Sequence, residues 1–220
     1  MAEELLASAA HGRRGAVVLC GGESRRMGRD KASLLFSGET LLARTVRIAA
    51  GAAPAENIVV VAAQGQAPGR AQQVAVIHDK EPAQGPLMAV AAGLQFLVER
   101  VDVAFVTGCD APLLKPELVD RLYCLLEQDP ACDAVVPLVD GRLCPLTAVY
   151  RTRCHAPLQE AVAAGRRSLQ RALAGGTLRV RQVAVEELRA VDPGLDSFLN
   201  CNTPEELEAA RRRSTLAGDL

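Results

Sequence analysis

Between Leu19 and Lys31 the sequence reads LCGGESRRMGRDK, so two adjacent glycines, Gly21 and Gly22, precede four basic side chains, Arg25, Arg26, Arg29 and Lys31. Glycines let a backbone approach a ligand closely and turn its N–H groups toward an anion. Ser24 adds a hydroxyl to the same loop. The combination suits a polyphosphate, yet it is neither of the two common phosphate loops. A Walker A loop needs G-x-x-x-x-G-K-[ST], whereas here Gly28 is followed by Arg29, and Lys31 by Ala32. A dinucleotide loop needs G-x-G-x-x-G, and the spacing of Gly21, Gly22 and Gly28 does not match it. The bland alternative is a glycine-rich turn with a solvated basic tail.

Nucleoside triphosphates generally react as magnesium complexes, so a carboxylate at the same place is the next requirement. Asp110, in VTGCDAPLL, directly follows an apolar run and precedes Ala111-Pro112. Alone it would also suit a helix cap. Paired with the glycine-rich loop it becomes the candidate metal ligand. Cys109 beside it has no evident base to activate it and reads as a small apolar filler.

The elements that must position these groups show as alternating patterns. Val-rich runs predict strands over 15–20, 57–63, 74–78, 102–108 and 133–138, and helical patterns occupy 40–53, 86–100 and 115–127. Pro86 stands at the helix position that tolerates proline best. Apolar strands without in–out alternation, separated by helices, predict a mainly parallel sheet covered on both faces. In such a sheet ligands sit beyond the carboxyl ends of the strands, which puts Gly21, Gly22 and Asp110 at one edge. After Gly141 the pattern loosens to a strand in CPLTAVY, two helices between Arg153 and Ala174, a strand over 177–185 and a last helix from Thr203. Pro204, Glu205 and Glu206 fill the first turn of that helix, facing the positive end of its dipole. Residues 214–220 are expected to fray.

Bulk properties remove several classes. A net charge of -1 over 220 residues lacks the basic excess of a general nucleic-acid binder, and aromatics at 3% leave few stacking platforms for single strands. No apolar run approaches the about 20 residues that cross a bilayer, and MAEELLASAAHGRR lacks the apolar core of a signal peptide. Seven cysteines without a C-x-x-C pair fit reduced thiols better than a disulfide framework or a zinc site. The expectation is a cytoplasmic protein with no nucleic-acid or membrane partner.

LCGGESRRMGRDK resembles the L-A-G-G-x-S-x-R-M-G-x-D-K signature of molybdenum cofactor guanylyltransferases, the molybdopterin-guanine dinucleotide biosynthesis protein A family, within a wider nucleotidyltransferase superfamily. HDKEPAQGPLMAVAAGL, GCDAPLL and FLNCNTPEEL agree in order, so the resemblance spans 15–213. It implies a three-layer α/β, Rossmann-like nucleotidyltransferase (nucleotide-diphospho-sugar transferase-like) fold with a mainly parallel central sheet. The implied reaction is Mg2+-dependent transfer of GMP from GTP to the terminal phosphate of the molybdenum cofactor (Mo-molybdopterin), releasing pyrophosphate. Residue by residue, the resemblance implies GTP contacts at Leu19, Cys20, Gly21, Gly22, Lys31, Asp79, Gly85, Pro86 and Asp110. Arg26, Lys31 and Asp110 would be the catalytic residues, the first two on the phosphates and Asp110 on magnesium. Asn200 and Asn202 would border the acceptor, Asn202 also as a magnesium or phosphate contact. The implied domain is single over 1–220: an extension to 14, a nucleotide-binding half over 15–140, an acceptor-binding half over 141–213 and a tail over 214–220. The implied partners are GTP, the molybdenum cofactor, and proteins that deliver the cofactor or receive it as apo-molybdoenzymes.

Cys20 replaces the family's usual Ala, and Ala62 stands where guanylyltransferases often carry an Asn that contacts the nucleoside. Gly21-Gly22 and Gly85-Pro86-Leu87 favour the guanylyl branch over the cytidylyl branch, whose first loop resembles A-A-G. The alternatives are a nucleotidyltransferase of the same fold acting with CTP or on a sugar phosphate, and a non-catalytic nucleotide-binding adaptor. Retention of both Lys31 and Asp110 counts against the adaptor. A phosphate acceptor is already an oxyanion, so no strong base is needed, and His11, His78 and His155 form no evident triad. Arg142, Pro145, Arg166, Arg167 and Ser168 lie in the half expected to meet the acceptor, where a solvated basic helix face is the competing reading.

Overall fold

The computed structural model describes residues 13–20, 31–66, 74–79 and 85–217. The strands are β1 (Arg14–Leu19), β2 (Leu35–Phe36), β3 (Glu39–Thr40), β4 (Ile58–Ala63), β5 (Ala75–Asp79), β6 (Val103–Gly108), β7 (Ala134–Val139), β8 (Arg142–Leu143), β9 (Thr147–Arg151) and β10 (Val180–Ala184). The α-helices are α1 (Leu41–Ala50), α2 (Pro86–Leu97), α3 (Pro116–Glu127), α4 (His155–Ala163), α5 (Leu169–Ala174), α6 (Val185–Leu188) and α7 (Pro204–Ala217).

Each central strand is apolar on both faces because both faces are covered. Ala16 and Val18 of β1, Ile58 and Val60 of β4 and Phe105 of β6 join Leu42, Ile48, Leu118, Leu122 and Leu188 from α1, α3 and α6 in one core. Val17, Val59 and Ala104, the alternate residues, join Leu87, Leu94, Leu158 and Leu169 from α2, α4 and α5 in the other. This is the three-layer arrangement, and it explains the continuous apolar runs. On the second face α2 comes close enough that a Cβ at Gly93 would lie 2.4 Å from Val17 Cγ1. On the first face the buried Tyr123 hydroxyl donates to Gly15 O at 2.5 Å and accepts from Phe105 N at 3.1 Å, pinning α3 to β1 and β6.

The main sheet has the order β10-β7-β9-β6-β1-β4-β5, with β8 added to β7. β1 is parallel to β4 and β6, β4 to β5 and β7 to β10, while β9 runs antiparallel between β6 and β7. The chain moves outward from β1 to β4 and β5, then returns to place β6 on the other side of β1. That reversal makes the carboxyl ends of β1 and β6 the crevice where ligands sit in such sheets.

The structure also departs from the sequence expectations. α7 continues to Ala217, into the tail expected to fray, because Leu207, Ala210 and Ser214 form one buried stripe at helical spacing. The last sheet strand stops at Ala184, and Val185 opens the short α6. The β2–β3 hairpin is an addition; its turn places Ser37 and Gly38 at φ 49 and 86, a Ser-Gly pair suited to a tight hairpin. Among the described residues no helix is long and apolar enough to cross a membrane.

Candidate active site

Three residues far apart in sequence converge at the carboxyl edge of β6. Lys31 Nζ donates to Asn202 Oδ1 at 2.7 Å and lies 3.7 Å from Asp110 Oδ2. Lys31 opens a single 3-10 turn (Lys31–Ser33) anchored by the buried Ala32. Asp110 follows β6 by two residues, and its carboxylate folds back over Gly108, where a Cβ would lie 2.6 Å from Oδ1. Asn202 precedes α7. Its N–H donates to Glu206 Oε2 at 2.6 Å, as does Thr203 N at 3.0 Å, while Glu206 N donates to Thr203 Oγ1 at 3.2 Å. This is a capping box whose Glu also secures the residue before the cap. Cys201 N donates to Asp110 O at 2.7 Å, tying the third segment to the second.

A small core of Phe36, Leu41, Leu113, Cys201, Leu207 and Ala210 lies beneath this cluster. It draws on the chain just after Lys31, just after Asp110 and on both sides of Asn202, so apolar burial fixes the three polar groups relative to one another. Arg44 reinforces the junction: its Nε donates to Pro112 O at 2.6 Å, its Nη1 donates to Glu39 at 3.2 Å, and its guanidinium lies 5.1 Å from the Phe36 ring centroid. Burial first, and then the charges of Glu206 and Asp110, push the Cys201 thiol up to about 11, so it stays protonated and is no nucleophile.

The other sequence-predicted groups occupy the same edge farther along. Leu19 ends β1, Cys109 N donates to Leu19 O and Cys20 N to Val61 O, each at 3.0 Å. Asp79 ends β5 opposite Ala63 and is 8% exposed. β1 and β4 separate it from β6, so at about 4.8 Å per strand it stands roughly 14 Å across the sheet from the Asp110 strand. Gly85 caps α2 with φ 79, a conformation that favours glycine, and a Cβ there would lie 3.1 Å from Arg167 O. Pro86 is the first residue of α2. The second half of the chain therefore reaches the glycine–proline corner. Asn200 is exposed on the same segment as Asn202, whereas Gly21, Gly22 and Arg26 lie outside the described residues.

Ala62 is fully buried in the same core as Cys20, so both side chains pack into the interior. The residue after Ala62 bonds to a polar side chain, that of Gln66, which sequence reasoning missed. It closes a turn after β4 with Gln66 N donating to Ala63 O at 3.0 Å, and its Oε1 accepts from Ala63 N at 3.2 Å and lies 3.9 Å from Cys20 Sγ. Polar residues around Gly65, directly after a buried strand, were the available signal. His78 Nε2 sits 3.2 Å from Gln66 O and His155 Nδ1 3.0 Å from Thr152 O, so each ring is engaged with backbone.

The donors fit magnesium of one kind. Among the described residues no group of three or more His, Cys, Asp or Glu side chains forms a cage. Asp110 is a single carboxylate, 29% exposed, beside an amide oxygen and an ammonium. Magnesium commonly uses one or two carboxylates together with substrate phosphates and water. The arrangement suits an ion that arrives with a polyphosphate.

A family model for the MobA-like NTP transferase domain matches residues 16–190. The chain is 33% identical over 198 residues to a molybdenum cofactor guanylyltransferase of Desulfosudis oleivorans, covering 88% of this chain and 92% of the relative. It is 39% identical over 197 residues to a probable molybdenum cofactor guanylyltransferase of Mycobacterium avium, with the same 88% and 92% coverage. Among solved structures, molybdopterin-guanine dinucleotide biosynthesis protein A from Archaeoglobus fulgidus superposes with a TM-score of 0.75 at 27% identity, over 92% of this chain and 99% of that one.

Proposed function

The chain belongs to the MobA-like NTP transferase family, and from that premise we propose that it transfers GMP from GTP to the terminal phosphate of the molybdenum cofactor. The observation that carries this reading is the convergence of Lys31, Asp110 and Asn202 at the carboxyl edge of β6, beside the end of β1.

A phosphate oxygen of the acceptor attacks the α-phosphorus of GTP, the bond to the bridging oxygen breaks, and pyrophosphate leaves with the electron pair. Such transfers depend on positioning and on offsetting charge along the in-line path. Magnesium held by Asp110 would supply charge neutralisation on the phosphate oxygens. Lys31 turns its ammonium to the leaving pyrophosphate, and Asn202 holds that ammonium in place. Leu19, Cys20, Gly21 and Gly22 would lie against the nucleotide, Asp79 near its nucleoside and Arg26 on its phosphates. The acceptor enters from the second half, past Asn200 and the exposed Arg142, Arg166 and Arg167. The acceptor needs no base, in keeping with two histidines turned to backbone carbonyls.

The test is incubation with each labelled nucleoside triphosphate and Mg2+, with and without molybdenum cofactor, scoring nucleotide adduct and pyrophosphate. GTP should give adduct only when the cofactor is present. Equal or faster reaction with CTP or UTP overturns the guanylyl assignment, and adduct on a sugar phosphate instead of the cofactor overturns the acceptor.

A further inference from the structure

Beyond the Lys31–Asp110–Asn202 cluster, Asp192 is a fully buried carboxylate that the reaction does not use. Its Oδ1 lies 3.2 Å from Lys115 Nζ and accepts from Asp196 N at 3.1 Å; its Oδ2 accepts from Ser197 N at 2.9 Å. The fully buried Ser197 returns the tie, its Oγ accepting Lys115 N at 3.0 Å. Lys115 Nζ also lies 3.9 Å from Asp196 Oδ2, and Arg213 pairs with the other oxygen of Asp196. Two acids and two bases thus balance, which is what burial of a carboxylate requires. The segment they hold contains Leu195 at φ 53 and ψ 33, a left-handed conformation that a leucine keeps only when its surroundings impose it.

The place of this cluster gives it a consequence. Lys115 stands five residues after Asp110, and Asp192 stands nine residues before Cys201. At the other end of the same two segments Cys201 N donates to Asp110 O. The segments are therefore braced at both ends, and Asn200 and Asn202 project from either side of the second brace. We propose that the Lys115–Asp192 pair, with Ser197, is a positioning device for the transfer reaction: it sets the 192–202 segment so that Asn202 holds the Lys31 ammonium beside Asp110. Neither residue touches the reacting atoms. The catalytic part of this inference rests on the proposed function, whereas the positioning itself does not.

The test is the double variant Lys115→Met/Asp192→Asn, which removes both charges at nearly constant shape and leaves no unpaired buried charge. In the ligand-free full chain, amide hydrogen exchange at Cys201 and Asn202 should quicken by about tenfold or more while the amides of β1 and β6 keep their protection. Under turnover, kcat should fall toward the about 10²-fold that a small misplacement costs, with KM for GTP nearly unchanged. Lys115→Arg, which keeps a cation on Asp192, should restore both readouts. Ser197→Ala, a milder loss, should shift both in the same direction and serves if the double variant does not fold. A merely structural role predicts the opposite: the stable double variant would keep wild-type exchange at Cys201 and Asn202 and wild-type kcat. Either result overturns the inference. If the wild-type chain transfers no nucleotide at all, the proposed function fails, and the exchange measurement alone still decides the positioning.

Discussion

Replacing Lys31 by Met keeps the aliphatic stem and deletes only the ammonium, and the structure says how stability and rate should separate. In the folded protein Lys31 meets Asp110 at 3.7 Å with side chains 20% and 29% exposed. A partly exposed pair of this kind contributes about 0.2–1 kcal/mol. For a chain of this size that corresponds to a melting shift of roughly 4 °C or less. The same ammonium, if it offsets charge on leaving pyrophosphate, acts as one preorganised electrostatic donor, whose removal costs about 10²–10³ in rate. The expected outcome is a large kinetic loss with a small thermal one. Single-turnover pyrophosphate release at saturating GTP and Mg2+, beside thermal melts of the same samples, measures both. Asn202→Ala should lower the rate by less, since it loosens the ammonium held at 2.7 Å without removing it. If Lys31→Met turns over at the wild-type rate and only its GTP affinity falls, Lys31 is a ground-state binder and the leaving-group role is wrong.

Asp110→Asn should abolish transfer at limiting Mg2+ while the fold survives, and unchanged turnover across a Mg2+ titration would refute the metal role. His78→Ala and His155→Ala should each leave the chemical step within about threefold of wild type, far from the ~10²–10⁴ loss of a general base; a loss of that size at His78 would point to a hydroxyl acceptor. Hydrogen bonding from Arg47 leads the groups that hold Glu39 below the ordinary glutamate range, with Arg44 adding to it. A depressed folded-state value stabilises above the ordinary range and loses that contribution as pH falls through the depressed value. Glu39→Gln should therefore cost about 0.5–1 kcal/mol near neutral pH and almost nothing in strong acid, which denaturant melts at two pH values would show.

The parallel core was legible because its signal is local. A strand buried on both faces must be apolar along its whole length, so β1, β4, β6 and β7 could be read within a residue or two of their observed bounds. The ends were less so. Val185 looks like the continuation of a strand, yet its backbone turns into α6, with Leu188 buried against the main core. Residues 214–217 were expected to fray as the start of the tail, but Ser214 falls on the buried stripe of α7 and is packed there. In both cases tertiary contact, not composition, decided the outcome.

The site divides along the same line. Lys31 and Asp110 were readable from residue type and from their place after an apolar run, because a cation beside a glycine-rich loop and a carboxylate at a strand end are chemical statements a single segment can make. Their distance of 3.7 Å was not readable, since it is set by a core assembled from residues 34–41, Leu113 and 201–210. Gln66 escaped notice for a related reason: the polar residues around Gly65 signal a turn after the strand, but not that the turn folds the Gln66 carboxamide back onto Ala63 N beside Cys20. Ala62 shows what strand parity does decide. The period-two alternation of β4 turns it into the same core as Ile58 and Val60, and that of β1, continued one residue, turns Cys20 into that core and Leu19 into the other. Parity, countable from the buried Ile58 onward, thus assigns each strand residue to one face of the sheet, while approach to a ligand is left to the chain beyond the strand ends.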